Sequence, residues 1–324
     1  MRLLSIASGS GGNSMLVQMD GTNILIDAGI SCRRISRALK EYSTSLSDLD
    51  AVLITHAHTD HISGLPALMN KLSCGIYMSR DTHIQTMLYG VTDIIPDVPF
   101  DICEKIRVTP VSAMHDCRGS LGFVLESSRE KLGYLTDTGF IPEKALELMA
   151  GSDCVVIESN HDREMLEKGP YPFNLKKRIA SDTGHLSNDA CSEALIALAE
   201  TGTKQFLLAH LSRQNNTPEL ARASAEEALS GFDAETDVLP PDTVKQYLIN
   251  EDDRNQKRYE KYESVFGTYG VFELPEGAIC RHHSEEYIRS LLKEFETLEF
   301  FPTTYTTMNG HSATGFCYFG RKHL

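Results

Sequence analysis

Apolar residues open the chain in short blocks. Residues 3–8 and 14–19 are strand-length runs joined at Gly9-Ser10-Gly11-Gly12-Asn13, and residues 22–27 form a third run that ends on Asp27-Ala28-Gly29. Blocks of this length bounded by turn residues predict strands. A helix is predicted from about Ser31 to Tyr42. Ala51-Val52-Leu53-Ile54-Thr55 is a continuous apolar, β-branched run, the mark of a buried strand, and it leads directly into His56. Residues 62–73 read as helical. Further strands are predicted at 106–111, 121–126, 131–136, 154–158 and 205–209, and helices at 142–150, 188–200 and 217–229. The last helix starts well, with Thr217 as N-cap and Pro218 at the first helical position. Hairpins followed by alternating strands and helices predict packed sheets with helices outside, a layered mixed α/β architecture.

The pattern changes near Val238-Leu239-Pro240-Pro241-Asp242, which predicts one domain over 1–240 and a second unit over 241–324. In the second, 245–263 is highly charged, 284–298 reads as an amphipathic helix, and Met308 to Phe319 is Gly-rich and aromatic. A small α+β extension is expected there. At 41% hydrophobic and 23% charged residues the composition is that of a globular protein, which excludes a disordered or collagen-like chain. No apolar run approaches the roughly 20 residues of a membrane helix. The first residues turn at once into Gly and Ser, without the apolar core of a signal peptide, so a soluble, cytoplasmic protein is expected. The 8 cysteines include no CxxC pair, which argues against a zinc finger or a thioredoxin-type site. Most are expected to be reduced, buried small hydrophobes.

Candidate chemistry concentrates in Thr55-His56-Ala57-His58-Thr59-Asp60-His61. Three imidazoles and a carboxylate crowded at one strand end are costly unless a cation ties them together. Neutral imidazole with carboxylate suits Zn, Mn or Fe. Alternation sends His56 and His58 to one side of the extended segment, and Asp60 with His61 sits one turn further on. That arrangement suits two adjacent metals better than one.

The HxHxDH motif after an apolar strand resembles the metallo-β-lactamase fold, an αββα sandwich with a metal site at one sheet edge. The resemblance implies that residues 1–240 are its catalytic domain. It also implies four further positions, each following a predicted strand. Asp27 would support the ligand loop, His115 and His210 would be metal histidines, and Asp137 the bridging carboxylate. On this implication His56, His58, His115 and Asp137 hold one divalent ion, and Asp60, His61, Asp137 and His210 hold the second.

Glu158, in Val155-Val156-Ile157-Glu158-Ser159-Asn160, and Gly184-His185-Leu186-Ser187-Asn188 resemble elements of the phosphodiesterase branch, including the transfer-RNA 3′-processing nucleases. There the His donates a proton and the Glu orients it. His161 is a rival for the same role. Together with Ala7-Ser8-Gly9-Ser10-Gly11-Gly12-Asn13-Ser14, Gly169-Pro170-Tyr171-Pro172 and His210-Leu211-Ser212, these motifs resemble the WalJ/YycJ family over about 1–240. That likeness implies a bacterial DNA exonuclease working 5′→3′, with a role in mismatch repair, and with Asp60, His185 and Glu158 carrying catalysis. RNA or a cyclic nucleotide is the alternative substrate, followed by thioesterase or lactonase chemistry. A regulatory protein on a dead hydrolase scaffold is the non-enzyme reading, and seven intact candidate ligands speak against it.

The formal charge of −14 works against loose nucleic-acid binding. The charge is uneven, however. Arg163, Lys168, Lys176, Lys177 and Arg178 face only Glu164 and Glu167 within 163–178, and Tyr171 could stack on a base. Tyr171, Lys176 and Arg178 are therefore candidate substrate contacts. So are Ser187 and Asn188, where backbone N–H groups at a helix start could hold a phosphate. The end of the chain, from Glu285 to Lys322, faintly resembles the last helix and strands of class I methyltransferases, but no Gly-rich cofactor loop precedes it. His282, His283 and His311 are expected not to be ligands.

Overall fold

The computed structural model describes residues 1–249 and, beyond them, the backbone of the strands Val271–Glu273, Ile279–Arg281, Phe295–Thr306 and Ser312–Lys322. The first of two seven-stranded sheets contains β1 (Arg2–Ala7), β2 (Ser14–Met19), β3 (Thr22–Ile26), β4 (Ala51–Leu53), β5 (Gly75–Ser79) and β6 (Thr92–Ile94), side by side in chain order. The second contains β7 (Phe100–Ile102), β8 (Ile106–Ser112), β9 (Leu121–Glu126), β10 (Lys131–Leu135), β11 (Cys154–Glu158), β12 (Gln205–Ala209) and β13 (Glu235–Val238). Finally β14 (Lys245–Leu248) returns to the first sheet and pairs antiparallel with β1.

Each sheet begins as an antiparallel meander, β1 to β3 and β7 to β10. Each then continues with parallel strands, β3 to β6 and β10 to β13. One plan is thus used twice. The helices are α1 (Cys32–Glu41), α2 (Thr59–Ile62), α3 (Leu65–Met69), α4 (Arg80–Thr86), α5 (Glu143–Met149), α6 (Arg163–Lys168), α7 (Phe173–Ile179), α8 (Asn188–Glu200) and α9 (Pro218–Ala228).

Alternating side chains explain why the strands read as unbroken apolar runs. Leu3, Val17, Ile24 and Leu53 meet Phe123, Leu132, Val156 and Leu207 between the sheets. Their neighbours Leu4, Leu16, Leu25 and Val52 pack on the other face against Ile35, Leu39, Leu65 and Leu68 of α1 and α3. In the second sheet Val155, Ile157, Phe206 and Leu208 meet Ala145, Leu195, Leu198 and Ala221 of α5, α8 and α9. A strand covered on both faces has no polar side to show. This is the αββα sandwich that the resemblance implied.

Several elements differ from the sequence-based expectation. The helix expected over 62–73 is two short helices, α2 and α3, and the first begins at Thr59 so that Asp60 and His61 share its opening turn. Strands β5, β6, β7, β13 and β14 and helices α4, α6 and α7 were not expected. Pairing of β14 with β1 carries the compact unit to Asn250 rather than 240, and Glu251–Leu324 is a second compact unit. Residues 295–298, expected in a helix, belong to a strand that pairs antiparallel with Ser312–Lys322. Residues 284–294, His282, His283 and His311, and the methyltransferase-like features apart from these strands, lie outside the described residues. So does the charged stretch from 250 to 263. Six cysteines are described, all unpaired. Cys32, Cys117, Cys154 and Cys191 are buried as expected, whereas Cys74 is half-buried and Cys103 exposed. Among the described residues no helix is long and apolar enough to cross a membrane.

Candidate metal centre

The candidate site residues sit where strands of both sheets end. Asp27 follows β3, His56 to His61 follow β4, His115 follows β8, Asp137 follows β10, Glu158 closes β11 and His210 follows β12. Packed strands hold such positions more rigidly than free loops do. His56 Nε2 lies 3.1 Å from His58 Nδ1, and His115 Nε2 lies 3.2 Å from the same atom. These three donors form one candidate metal group. Asp60, His61 and His210 form another, and Asp137 belongs to a group with His56 and His61 and to one with Glu158, His185 and His210. All seven residues expected to bind metal are therefore brought together, with Asp137 between the two histidine sets.

The second ring nitrogen of three histidines is already committed. His61 Nδ1 donates to Asp27 Oδ2 at 2.7 Å, His115 Nδ1 to the Gly184 carbonyl at 3.0 Å, and His210 Nδ1 to Glu158 Oε1 at 3.0 Å. Such partners set the tautomer and leave Nε2 free for a metal. Asp27 bonds Thr55 as well as His61. It accepts the Thr55 backbone N–H at 2.8 Å and the Thr55 hydroxyl at 2.9 Å, tying the start of the ligand loop to β3. Asp27, Asp137 and His210 all have positive φ, at 60°, 56° and 55°. The left-handed conformation turns each side chain off its strand, and Asp and His tolerate it better than β-branched residues do.

A cation is the natural completion of this set. Asp137 Oδ2 and His210 Nε2 are buried without a well-formed hydrogen bond, their nearest partners being His61 Nε2 at 3.3 Å and Asp60 Oδ2 at 3.5 Å, and an ion between such atoms would complete them. Burial, followed by the neighbouring histidines His61, His115 and His58, lowers the pKa of His56 well below the ordinary value. Burial and His115 lower that of His58. Both are then neutral, the form that binds metal. For His61 burial is outweighed by Asp27 and Asp137, which raise it to about 10. For His210 burial is outweighed by Asp137, Asp60 and Glu158, again upward.

Glu158 is fully buried and holds two histidines, not one. Its Oε1 accepts from His185 Nδ1 at 2.8 Å as well as from His210, while Oε2 accepts the Thr138 N–H at 2.9 Å. Burial opposes its charge, but His185 and the hydrogen bonds from His185 and His210 prevail and hold its pKa near 2. For His185 burial is outweighed by Glu158 and then Asp137, so its pKa rises. His185 opens on a cleft that is also lined by Ser10, Asp116, Asn160, Tyr171 and Arg178. His161 is buried with Nδ1 unpartnered, and burial lowers its pKa to about 4.

The candidate substrate contacts divide. Tyr171 and Arg178 line the cleft. Lys176 does not, since its Nζ donates to the Glu167 carbonyl at 2.6 Å. Ser187 and Asn188 are not among the residues lining the cleft. Ser187 is the buried N-cap of α8, accepting from the Ala190 N–H, and Asn188 is buried in bonds with Ser159 and Asn216. Two supporting residues lie inside motifs already quoted, but nothing in the sequence assigned them a role of their own. Asn13 Nδ2 lies 3.0 Å from His61 Nε2 and 3.3 Å from the Asp60 carbonyl, and Asn160 Nδ2 donates to the His210 carbonyl at 2.9 Å.

Backbone bonds knit three loops beneath the centre: Asn13 N–H to Asp60, Ala28 N–H to His61 and Gly29 N–H to Asn13. A Cβ on Gly29 would fall 1.6 Å from the Asp60 carbonyl oxygen and 2.7 Å from the Asn13 nitrogen. Gly29→Ala is therefore expected to cost about 1–3 kcal/mol of stability and to reduce bound metal, read by melting and elemental analysis. Gly231→Ala is the control, because its Cβ meets nothing within 4 Å. Full metal content in Gly29→Ala would mean that this knit does not place Asp60 and His61.

Comparison with known proteins agrees with the geometry. A model of the beta-lactamase superfamily domain matches residues 22–211. The exodeoxyribonuclease YycJ of Bacillus anthracis is 35% identical over 231 residues, 69% of this chain and 87% of that protein. The exodeoxyribonuclease WalJ of Streptococcus pneumoniae is 34% identical over 253 residues, 74% of this chain and 94% of that protein. Among solved structures, the metallo-beta-lactamase fold protein YhfI of Bacillus subtilis superposes with a TM-score of 0.58 at 17% identity, over 76% of this chain and 99% of its own. The last likeness shows the fold. The chain belongs to the metallo-β-lactamase superfamily of hydrolases, in the branch that holds YycJ and WalJ.

Proposed function

We propose that this hydrolase is a DNA exonuclease that works 5′→3′ at a centre of two divalent metal ions. The observation that carries the reading is the bond from His185 Nδ1 to Glu158 at the wall of the cleft. Hydrolysis of a phosphodiester expels an alkoxide that must gain a proton. A histidine held by a buried carboxylate is suited to give it near neutral pH, whereas thioester or lactone hydrolysis has less need of it. His56, His58, His115 and Asp137 would hold one ion, and Asp60, His61, Asp137 and His210 the other. Zinc or manganese suits these N and O donors, and iron shares the preference. When bound, the ions supply an acidified water and positive charge for the phosphate oxygens.

The chain's own residues do the rest. Asp60 and Asp137 would help to hold the ions, Asp137 from a donor group that takes one histidine from each set. His185 delivers its proton to the leaving 3′-oxygen, and Glu158 keeps its ring aimed and charged. Tyr171 and Arg178 bind the strand in the cleft. The names and near-complete coverage of YycJ and WalJ support DNA as the substrate.

Protonated His185 is the active form, so turnover falls as pH rises through its pKa. Removing the negative charge with Glu158→Gln lowers that pKa, and the alkaline limb of the kcat profile is expected to move down by about 1–3 units. An unmoved limb in metal-replete protein would mean that another group donates the proton.

The function itself is read on duplex DNA labelled at each end, with Mn²⁺ or Zn²⁺, with and without a 5′-phosphate. Stepwise loss from the 5′ end is expected, with none in Asp60→Ala. His185→Ala should slow it by about 10²–10⁴ with metal content intact. Loss of metal in that variant would make His185 a ligand, since it shares a donor group with Asp137 and His210. Cleavage of RNA of the same sequence, with DNA untouched, would overturn the substrate assignment.

A further inference from the structure

Asp116 stands at the mouth of the cleft, beside His115 and in a place where a negative charge opposes an anionic substrate. Its Oδ2 accepts from Arg178 Nε at 2.5 Å, a contact made across 62 residues of sequence. Its Oδ1 lies 3.6 Å from both His58 Nε2 and His115 Nε2, too far for a hydrogen bond. The firm partner is therefore Arg178. As a stabilising pair it is worth little, because the Arg178 side chain is 59% exposed and ion pairs in water contribute about 0–1 kcal/mol.

We infer that Asp116 is a positioning residue, which aims Arg178 at a phosphate group of the substrate. The bond uses only Nε and leaves both terminal nitrogens of the guanidinium for a two-point contact with phosphate oxygens. Free in solvent, a long Arg side chain would lose most of its rotamer freedom on binding. Held by Asp116, it has lost much of that freedom already.

The backbone end of the device is fixed as well. Ile179, next to Arg178 at the end of α7, accepts the His185 N–H at 2.9 Å. A Cβ on Gly184 would fall 2.2 Å from the Ile179 carbonyl oxygen and 2.3 Å from that of Arg178. Gly184 also holds His115 through its own carbonyl. The Arg178 backbone is thus set against His115 and His185, and only its side chain needs a guide. The pair therefore lines one wall of the cleft with a prepared phosphate donor, close to the first histidine group.

This inference rests on the phosphodiesterase reading, but its test does not require cleavage. The probe is thymidine 5′-monophosphate, titrated calorimetrically into zinc-loaded wild type, Asp116→Ala, Arg178→Met and the double variant, with metal content and melting temperature recorded for each. On charge alone, removing Asp116 should tighten binding of an anion. Positioning predicts the reverse. Asp116→Ala should weaken binding by about tenfold, the scale of one charge-assisted hydrogen bond, and Arg178→Met by at least as much. The double variant should be no worse than Arg178→Met, because the two act as one unit. Metal content and melting temperature should hold.

Tighter binding in Asp116→Ala, losses that multiply in the double variant, loss of zinc, or no binding by wild type would each overturn the inference. Failure of the nuclease reading shows separately, as wild-type protein that binds the nucleotide but leaves DNA intact.

Discussion

Negative charge buried at the strand ends is the constraint that the rest of the structure answers to. Asp27 and Glu158 are wholly buried and Asp137 nearly so, with Asp60 beside them and six histidines around. Carboxylates out of water are tolerable only with positive charge at hand. The carboxylates raise the pKa of His61, His185 and His210, which favours positive charge on these rings. Divalent ions supply it better, since His56 and His58 are already neutral donors. Metal binding and proton release are then one event.

Holding like groups this close needs a frame that does not yield. Strands packed on both faces provide it, and the candidate ligands lie in the segments that follow their ends. The three left-handed residues, Asp27, Asp137 and His210, are where straight strands turn into site. Glu158 joins the two halves of the chemistry: one carboxylate oxygen holds both a candidate metal histidine and the candidate proton donor. A change there disturbs metal binding and acid catalysis together, which is why metal content must accompany any kinetic measurement on it.

Much of this could be read from residues alone, for reasons specific to them. His56 to His61 are adjacent in sequence, so their chemistry was dense enough to be seen without a fold. His115, Asp137 and His210 are single residues far apart, and only a family resemblance joined them. Strands β6 and β7 have three residues each, too few for periodicity to register. Ser187 and Asn188 looked like a phosphate site because a helix start offers N–H groups. Their side chains instead cap α8 and fill a buried polar network, a tertiary fact without local signal. Asn13, Asn160 and Asp116 meet partners 47 to 62 positions away, beyond any window of sequence reasoning.

On the proposed reading one carboxylate, Asp137, joins two metal positions built from separate histidine sets. The most direct measurement of this is the number of ions per chain after equilibrium dialysis against zinc, by elemental analysis, for wild type and Asp137→Ala. Two ions per wild-type chain, with both weakened in the variant, is the predicted result. One ion in the wild type, or two held undiminished by Asp137→Ala, would contradict it.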